Sequence, residues 1–458
     1  MEGMMSKLSV KENLGYGSAS LGDAAAYGFI GTFLMFFLTT VAGIEPATAG
    51  ILTAVGAVWN ALINPVIGYC ADKVNTRFGR RRPVILAFSI PLGITMFLLF
   101  TKIDLPDMVR PVYYGIMLML FWTSYTGYFV PYLALGVEYT SDYDDRTILR
   151  LYASLFNMIG SIFAMVLPTM VVKLLMSRGL TLAEAWSATG AFVGSVTFLS
   201  ILITVLVSGN KDRPADVPDK KKTEGFSLPA IFREYISVAR LKPMKYLVIA
   251  SIASLVCYQI IMSDLVYFLT YNLRFGATHI SLFLLVRSLA GMVLIPVVGK
   301  IALAIDKRNT MIIFFLLGIG GMFFVRFVSL PEVPMLIAYV IFTCFCTCVY
   351  WDLMPSIYYD ICEYDQLVNG RNRQATIVSF QGLVEAVALG IGSLILGVIL
   401  QLGGFDGSAA TQTIGAMKWI FNCTTAIPVL FLIIAALAIH KYPITKSVHE
   451  DIQRQLKK

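Results

Sequence analysis

WNALINPVIGYCADKVNTRFGRRRP, residues Trp59 to Pro83, decides the fold. Its first half is apolar yet carries Asn60, Asn64 and Pro65. Its second half runs through Gly68, Asp72, Lys73, Arg77 and Gly79 into Arg80, Arg81 and Arg82, and another apolar run follows. Amides on an apolar segment, with a cationic cluster crowded into one short connection, read as a membrane helix that ends in a basic cytoplasmic turn.

The rest of the chain supports that reading. Of its 458 residues, 57% are hydrophobic and 14% charged, and the mean hydropathy of +0.74 is far too apolar for a soluble domain of this length. About twelve apolar runs of roughly 18 to 25 residues are long enough to cross a ~30 Å hydrocarbon core. The formal charge of +8 falls in alternate short loops and in the tail, which is the positive-inside pattern and excludes nucleic acid as a partner. The seven cysteines all lie within or beside apolar runs, so disulfides are not expected. Cys344, Cys346 and Cys348 sit at a spacing of two, which splits them across helix faces, and no histidine is near; no metal site is expected. The first run, Ser18 to Ala42, is longer than a signal-peptide core and stays as the first span.

The spans are expected at 18–42, 47–70, 83–101, 110–137, 150–174, 185–207, 245–271, 278–304, 310–330, 333–358, 375–402 and 414–439. Basic residues crowd the connections after spans two and six, whereas Gly43 to Thr48, Leu330 to Val333 and Gly403 to Ala416 hold neither Lys nor Arg. An even number of spans then puts both termini in the cytoplasm. The chain divides into a first six-helix bundle at 1–207, a cytoplasmic linker at 208–244, a second six-helix bundle at 245–440 and a cytoplasmic tail at 441–458. Within the linker, Leu228 to Leu241 has apolar residues at helical spacing and reads as a surface helix. Gly68 to Arg82 after span two is echoed by Gly299, Asp306, Lys307 and Arg308 after span eight, as in transporters built from two related halves. Pro65, Pro131, Pro168, Pro296 and Pro355 suit broken or bent helices.

Four groups of residues carry a family resemblance. They are Leu14-Gly15-Tyr16-Gly17 with Leu21-Gly22-Asp23; Asn64-Pro65 with Gly68, Asp72, Asn75, Thr76, Arg77, Phe78, Gly79 and Arg80; Tyr125-Thr126 with Pro131, Thr140, Asp142 and Arg146; and Trp351, Asp360, Glu363-Tyr364-Asp365-Gln366, Gly370, Arg371, Arg373, Gln374 and Gln381. Together they resemble the glycoside–pentoside–hexuronide:cation symporters, the branch of the major facilitator superfamily that includes melibiose and glucuronide permeases. The resemblance implies an all-α integral membrane protein with twelve transmembrane helices in two six-helix bundles. It implies a secondary transporter in the cell membrane that moves a glycoside, oligosaccharide or uronide with a cation by alternating access. Substrate is then expected among helices one, four, five, seven, ten and eleven, with no cofactor beyond a coupling proton or sodium ion. The departures are specific. Asn60 and Asn64 stand where cation-coupled members carry helix-two carboxylates, and an amide lends a carbonyl oxygen to a cation but neither neutralises it nor carries a proton. Phe129 replaces the Asp or Asn before the helix-four proline, and Ala24 and Ala386 replace an acid and a lysine, with Asp23 and Glu385 beside them. A proton is therefore preferred to sodium. The less polar pocket leaves a second reading, an amphiphilic conjugate or lysolipid-like substrate.

The residues expected at the substrate are Asp23, Tyr27, Tyr125, Phe129, Arg150, Asp264, Trp351, Gln381 and Glu385. Ionisable groups cost roughly 2.5–3.5 kcal/mol at a membrane helix centre, so each needs a reason, binding or structural. Asn60, Asn64, Thr126 and Asp23 are the candidate cation ligands. Asp72, Arg77, Arg80, Asp142, Arg146, Asp360, Glu363, Arg371 and Arg373 are expected as a cytoplasmic gate of ion pairs between the bundles, against the plainer reading of solvated surface charge. A polytopic enzyme is disfavoured: His279, His440 and His449 lie near span ends or in the tail, and no nucleophile–base pair emerges.

Overall fold

The computed structural model describes residues 8–74, 76–139, 143–210, 228–328, 332–370, 373–409 and 411–456. These residues form fifteen α-helices: α1 Val10–Phe36, α2 Pro46–Lys73, α3 Arg82–Leu99, α4 Arg110–Tyr139, α5 Tyr143–Ser177, α6 Leu182–Val207, α7 Leu228–Ala239, α8 Lys242–Tyr267, α9 Ala277–Ile305, α10 Lys307–Phe327, α11 Glu332–Asn369, α12 Gln374–Leu402, α13 Ile414–Thr424, α14 Ala426–His440 and α15 Lys446–Leu456. Eleven stretches among them are long and apolar enough to cross a membrane. The expected fourth span, α4, is a helix but not one of the eleven. Its middle, Thr123 to Thr126 with the flanking tyrosines, dilutes the apolar run.

Several expected ends move. Helix one begins at Val10 rather than Ser18, because Ser9 and Glu12 form a capping box that satisfies the first amides. The expected tenth span continues as α11 to Asn369, where acidic side chains find cationic partners. The last span is two helices rather than one. Pro428 has no N–H for the Thr424 carbonyl and its ring crowds that carbonyl, so the helix breaks at Thr424–Thr425, one turn before the proline. The five prolines expected in broken or bent helices lie inside continuous ones, so none of them breaks its helix.

The basic connection that opened the reading is a tight turn. Thr76 and Gly79 exchange backbone hydrogen bonds of 3.2 and 3.0 Å, and Gly79 takes φ 111°, where a side chain would be strained. Arg81 Nε reaches Glu138 Oε1 at 3.0 Å, and Arg82 Nε donates to the Val205 carbonyl at 2.7 Å.

Two compact units result, Met1–Glu224 with Phe275–Leu284, and Gly225–Arg274 with Leu285–Lys458. In the first, α1 packs on α5 and α6, and α3 on α4 and α6; in the second, α8 packs on α12 and α14, and α10 on α11 and α14. These four pairings correspond between the two units, as in a duplicated bundle. Both leading helices end in a π-helical turn, Phe37–Val41 after α1 and Phe268–Asn272 after α8, and both turns begin Phe-Leu-Thr. One spacing relates Phe37 to Phe268, Pro65 to Pro296 and Gly68 to Gly299. The duplication therefore reaches further than the basic loops suggest. Close approach of α1 to α5 depends on Gly160: a Cβ there would collide with the Leu21 carbonyl oxygen and lie 3.0 Å from the Ala24 side chain.

Candidate substrate and cation site

In the first unit the expected residues converge on Asp23. Tyr125 of α4 donates its hydroxyl to Asp23 Oδ1 at 2.6 Å, and Asn157 of α5 donates to Oδ2 at 3.3 Å. Both partners are neutral. Around this carboxyl stands an aromatic wall. Tyr27 lies edge-on to Trp122 at 5.9 Å and tilted to Tyr125 at 6.0 Å, while Tyr125 stacks on Phe129 at 5.5 Å. Tyr128 and Tyr132 continue the row along α4, each donating to an α1 carbonyl, Ala19 at 2.8 Å and Tyr16 at 3.2 Å. The row is built by helical spacing: positions 122, 125, 128, 129 and 132 all lie along one face of α4. Asn157 was not among the expected residues; its signal was a lone amide on an otherwise apolar stretch of α5.

Of the cation candidates, two meet. Thr126 is buried and donates to Asn60 Oδ1 at 2.8 Å, and one turn away Trp59 Nε1 donates to Thr123 Oγ1 at 2.9 Å. Asn64 does not join them: its side chain is exposed and has no hydrogen-bond partner among the described residues. Arg150 is also exposed, and stands near Tyr16 rather than at Asp23.

The second unit holds its own polar–aromatic cluster. Trp351, 39% exposed, meets Tyr258 at 5.8 Å and Tyr350 at 5.4 Å, both edge-on. Glu385 accepts from Gln381 at 2.8 Å and from Tyr350 at 3.4 Å. Asp264 faces elsewhere. It is 1% exposed, its Oδ2 accepts from Thr424 at 2.7 Å where the last span breaks, and its Oδ1 has no partner among the described residues. Gln259 and Ser263, its neighbours on α8, bond each other at 2.8 Å, and Gln259 reaches Ser393 of α12 at 3.1 Å. Arg326 donates to Asn422 and Thr425 at 3.0 Å each and braces the same break.

Among the described residues, Asp360, Glu363 and Arg373 of the expected gate have partners within their own unit. Asp360 binds Lys307 at 2.8 Å and lies 3.5 Å from His449; Glu363 lies 2.9 Å from His449. Arg373 grips Asp365 through contacts of 2.6 and 2.9 Å, which hold the guanidinium above its usual pKa. Arg77 lies over the Phe78 ring at 4.7 Å. Arg80 sits half-buried in the turn. The side chains of Asp72, Asp142, Arg146 and Arg371 lie outside the described residues. The tail holds what the sequence reading missed: α15 docks through the buried Ile452 and brings His449 to the end of α11. Its signal was the apolar spacing of Val448, Ile452 and Leu456.

A duplicated helical bundle with this apolar surface belongs with known transporters, and comparison bears that out. The profile of a family described as MFS/sugar transport protein matches residues 15–446. The chain belongs to that family. Among its relatives, the uncharacterized symporter YnaJ of Bacillus subtilis (strain 168) is 26% identical over 98% of this chain and 95% of its own. The isoprimeverose transporter of Lactiplantibacillus pentosus is 25% identical over 94% and 88%. Among solved structures, a bacterial homolog of the human lysosomal transporter Spinster superposes with a TM-score of 0.70 at 16% identity, over 94% of this chain and 97% of that one, and so shares the fold. This member of the MFS/sugar transport family is accordingly a multi-pass membrane transporter with the major facilitator fold, not an enzyme.

Proposed function

We propose that the protein is a proton-coupled symporter of a glycoside, short oligosaccharide or uronide in the cell membrane, with α4 as a twelfth span and both termini in the cytoplasm. The observation that carries the coupling is the Asp23 carboxyl held by two neutral donors, Tyr125 and Asn157. A carboxylate bonded to neutral groups takes up and gives back a proton without breaking an ion pair. The alternative cation position holds only the neutral Asn60–Thr126 pair, which offers oxygen ligands without charge. The aromatic wall supports the substrate class. Ring faces stack on the apolar face of a pyranose while Asp23 and Asn157 meet its hydroxyls. Trp351 with Gln381 and Glu385 offers the same pairing of an aromatic face with polar acceptors in the second unit. Relatives described as symporters and as an isoprimeverose transporter agree with this reading.

The test is uptake by purified protein in proteoliposomes, with a panel of glycosides, uronides and lysolipids under separately imposed proton and sodium gradients. Accumulation of a glycoside driven by protons alone, and abolished in Asp23→Asn, is the expected result. Accumulation driven by sodium alone would overturn proton coupling, and competition by lysolipids but not by sugars would overturn the substrate class.

A further inference from the structure

The helix α7 has two unlike faces. One is packed: Val238 is buried, Tyr235 meets the Phe380 ring at 5.6 Å, and Glu234 accepts from Thr376 at 3.0 Å. The other carries Pro229, Arg233, Ile236, Ser237 and Arg240 at helical spacing, and with Leu241 and Asn369 of α11 lines an open groove of about 810 Å³. Arg233 and Arg240 stand two turns apart, roughly 10 Å along the axis. Both are exposed, and neither has a hydrogen bond or ion pair among the described residues. Among the described residues the anions nearby are committed. Glu234 serves Thr376, and Asp365 is held by Arg373 and Asn369. Arg373 also donates to Ser237 Oγ at 2.9 Å, which aligns that oxygen as an acceptor and leaves the Ser237 hydroxyl hydrogen to donate into the groove. Between the two arginines Ile236 is 54% exposed. Cationic and apolar groups thus alternate along one groove on an amphipathic helix.

We propose that this groove is a binding site for the headgroup of an anionic phospholipid. Arg233 and Arg240 take the phosphodiester oxygens through charge-assisted hydrogen bonds, and Ser237 donates a third. Pro229, Ile236 and Leu241 lie against the glycerol backbone and the first acyl methylenes. Inorganic phosphate satisfies the arginines but leaves that apolar half of the groove uncovered, so the lipid is the favoured source of the phosphate. The orientation proposed above decides only which leaflet supplies it.

The experiment is native mass spectrometry of the full-length protein in detergent, titrated with phosphatidylglycerol, phosphatidylcholine or inorganic phosphate. Phosphatidylglycerol is expected to bind with preference over phosphatidylcholine. Each arginine near an anionic headgroup contributes about fivefold, so R233Q/R240Q should weaken binding roughly 25-fold. R233K/R240K, which keeps the charge, should retain most of it, and R178Q, an exposed arginine of the other unit, should change nothing. A melting curve for each variant separates lost binding from lost fold. Equal binding of the two lipids, or an R233Q/R240Q variant that folds and binds like the parent, overturns the proposal. Inorganic phosphate that displaces phosphatidylglycerol at comparable concentration overturns the lipid as the source.

Discussion

Replacing Tyr125 by Phe removes one hydroxyl and little else, since the ring keeps its stacking on Phe129 at 5.5 Å and its contact with Tyr27. What is lost is the 2.6 Å hydrogen bond to Asp23 Oδ1. A hydrogen bond to a charged group is worth about 1.5–3 kcal/mol, against about 0.5–1.5 kcal/mol for a neutral pair. The remaining donor, Asn157, sits at 3.3 Å and is too long to compensate. If transport depends on Asp23 being held at the aromatic wall, that loss translates into roughly a 10- to 150-fold fall in proton-driven uptake. Tyr128→Phe supplies the control. It deletes a hydroxyl one turn away that bonds a neutral carbonyl, Ala19 at 2.8 Å, and should cost stability without changing the response to an imposed proton gradient. The assay is initial uptake in proteoliposomes at several imposed pH differences, with size-exclusion profiles and melting curves for each variant. A well-folded Tyr125→Phe protein with parental uptake and parental proton dependence would refute the role given to Asp23.

Asn60→Asp puts a carboxylate 2.8 Å from Thr126 Oγ1 and should confer sodium stimulation of uptake, on the order of tenfold, read as uptake with and without sodium. Gly160→Ala forces a methyl group against the Leu21 carbonyl and should cost about 1–3 kcal/mol, seen as a lower melting temperature, whereas Gly31→Ala, with nothing within 4 Å, should not. Thr424→Val strips Asp264 of its one hydrogen-bond partner among the described residues and should destabilise by about 1–3 kcal/mol. The double variant Thr424→Val/Asp264→Val removes both groups and should recover much of that loss, so a double variant no better than the single one would argue against the buried bond.

The helical bundles were legible because the signals that specify them are local: apolar runs of membrane length and cations gathered into short connections. The same locality explains the misreadings. Hydropathy finds where the chain turns apolar, so it started helix one at Ser18, whereas the Ser9 cap starts it at Val10. It also passed over the break at Thr424, which depends on where Pro428 falls in the helical register. At the site, residue type was readable but pairing was not. Tyr125 and Asp23 were both candidates, yet nothing in the sequence says that the α4 hydroxyl reaches the α1 carboxylate. Asp264 was expected at the substrate, and nothing in the sequence says that the helix turns it to Thr424. Glu138 drew no attention because its partner, Arg81, is distant in the chain.

The duplication explains why the two units should differ in chemistry while agreeing in frame. The spacing that relates the two π turns also relates Tyr27 to Tyr258, so each leading helix presents a tyrosine at the matching place, and each tyrosine meets a tryptophan edge-on, Trp122 in one unit and Trp351 in the other. The aromatic half of the site has been kept twice. The polar half has not. At the same spacing Asp23 corresponds to Ser254, Asn60 to Gly291 and Asn64 to Ile295. Ser254 is buried with no hydrogen-bond partner among the described residues, so it does not replace the Asp23–Tyr125 bond there. A group that must gain and lose a charge needs donors arranged around it, and in this frame only the first unit retains them at that place. The function proposed above accordingly assigns ring recognition to both units and ion coupling to the first.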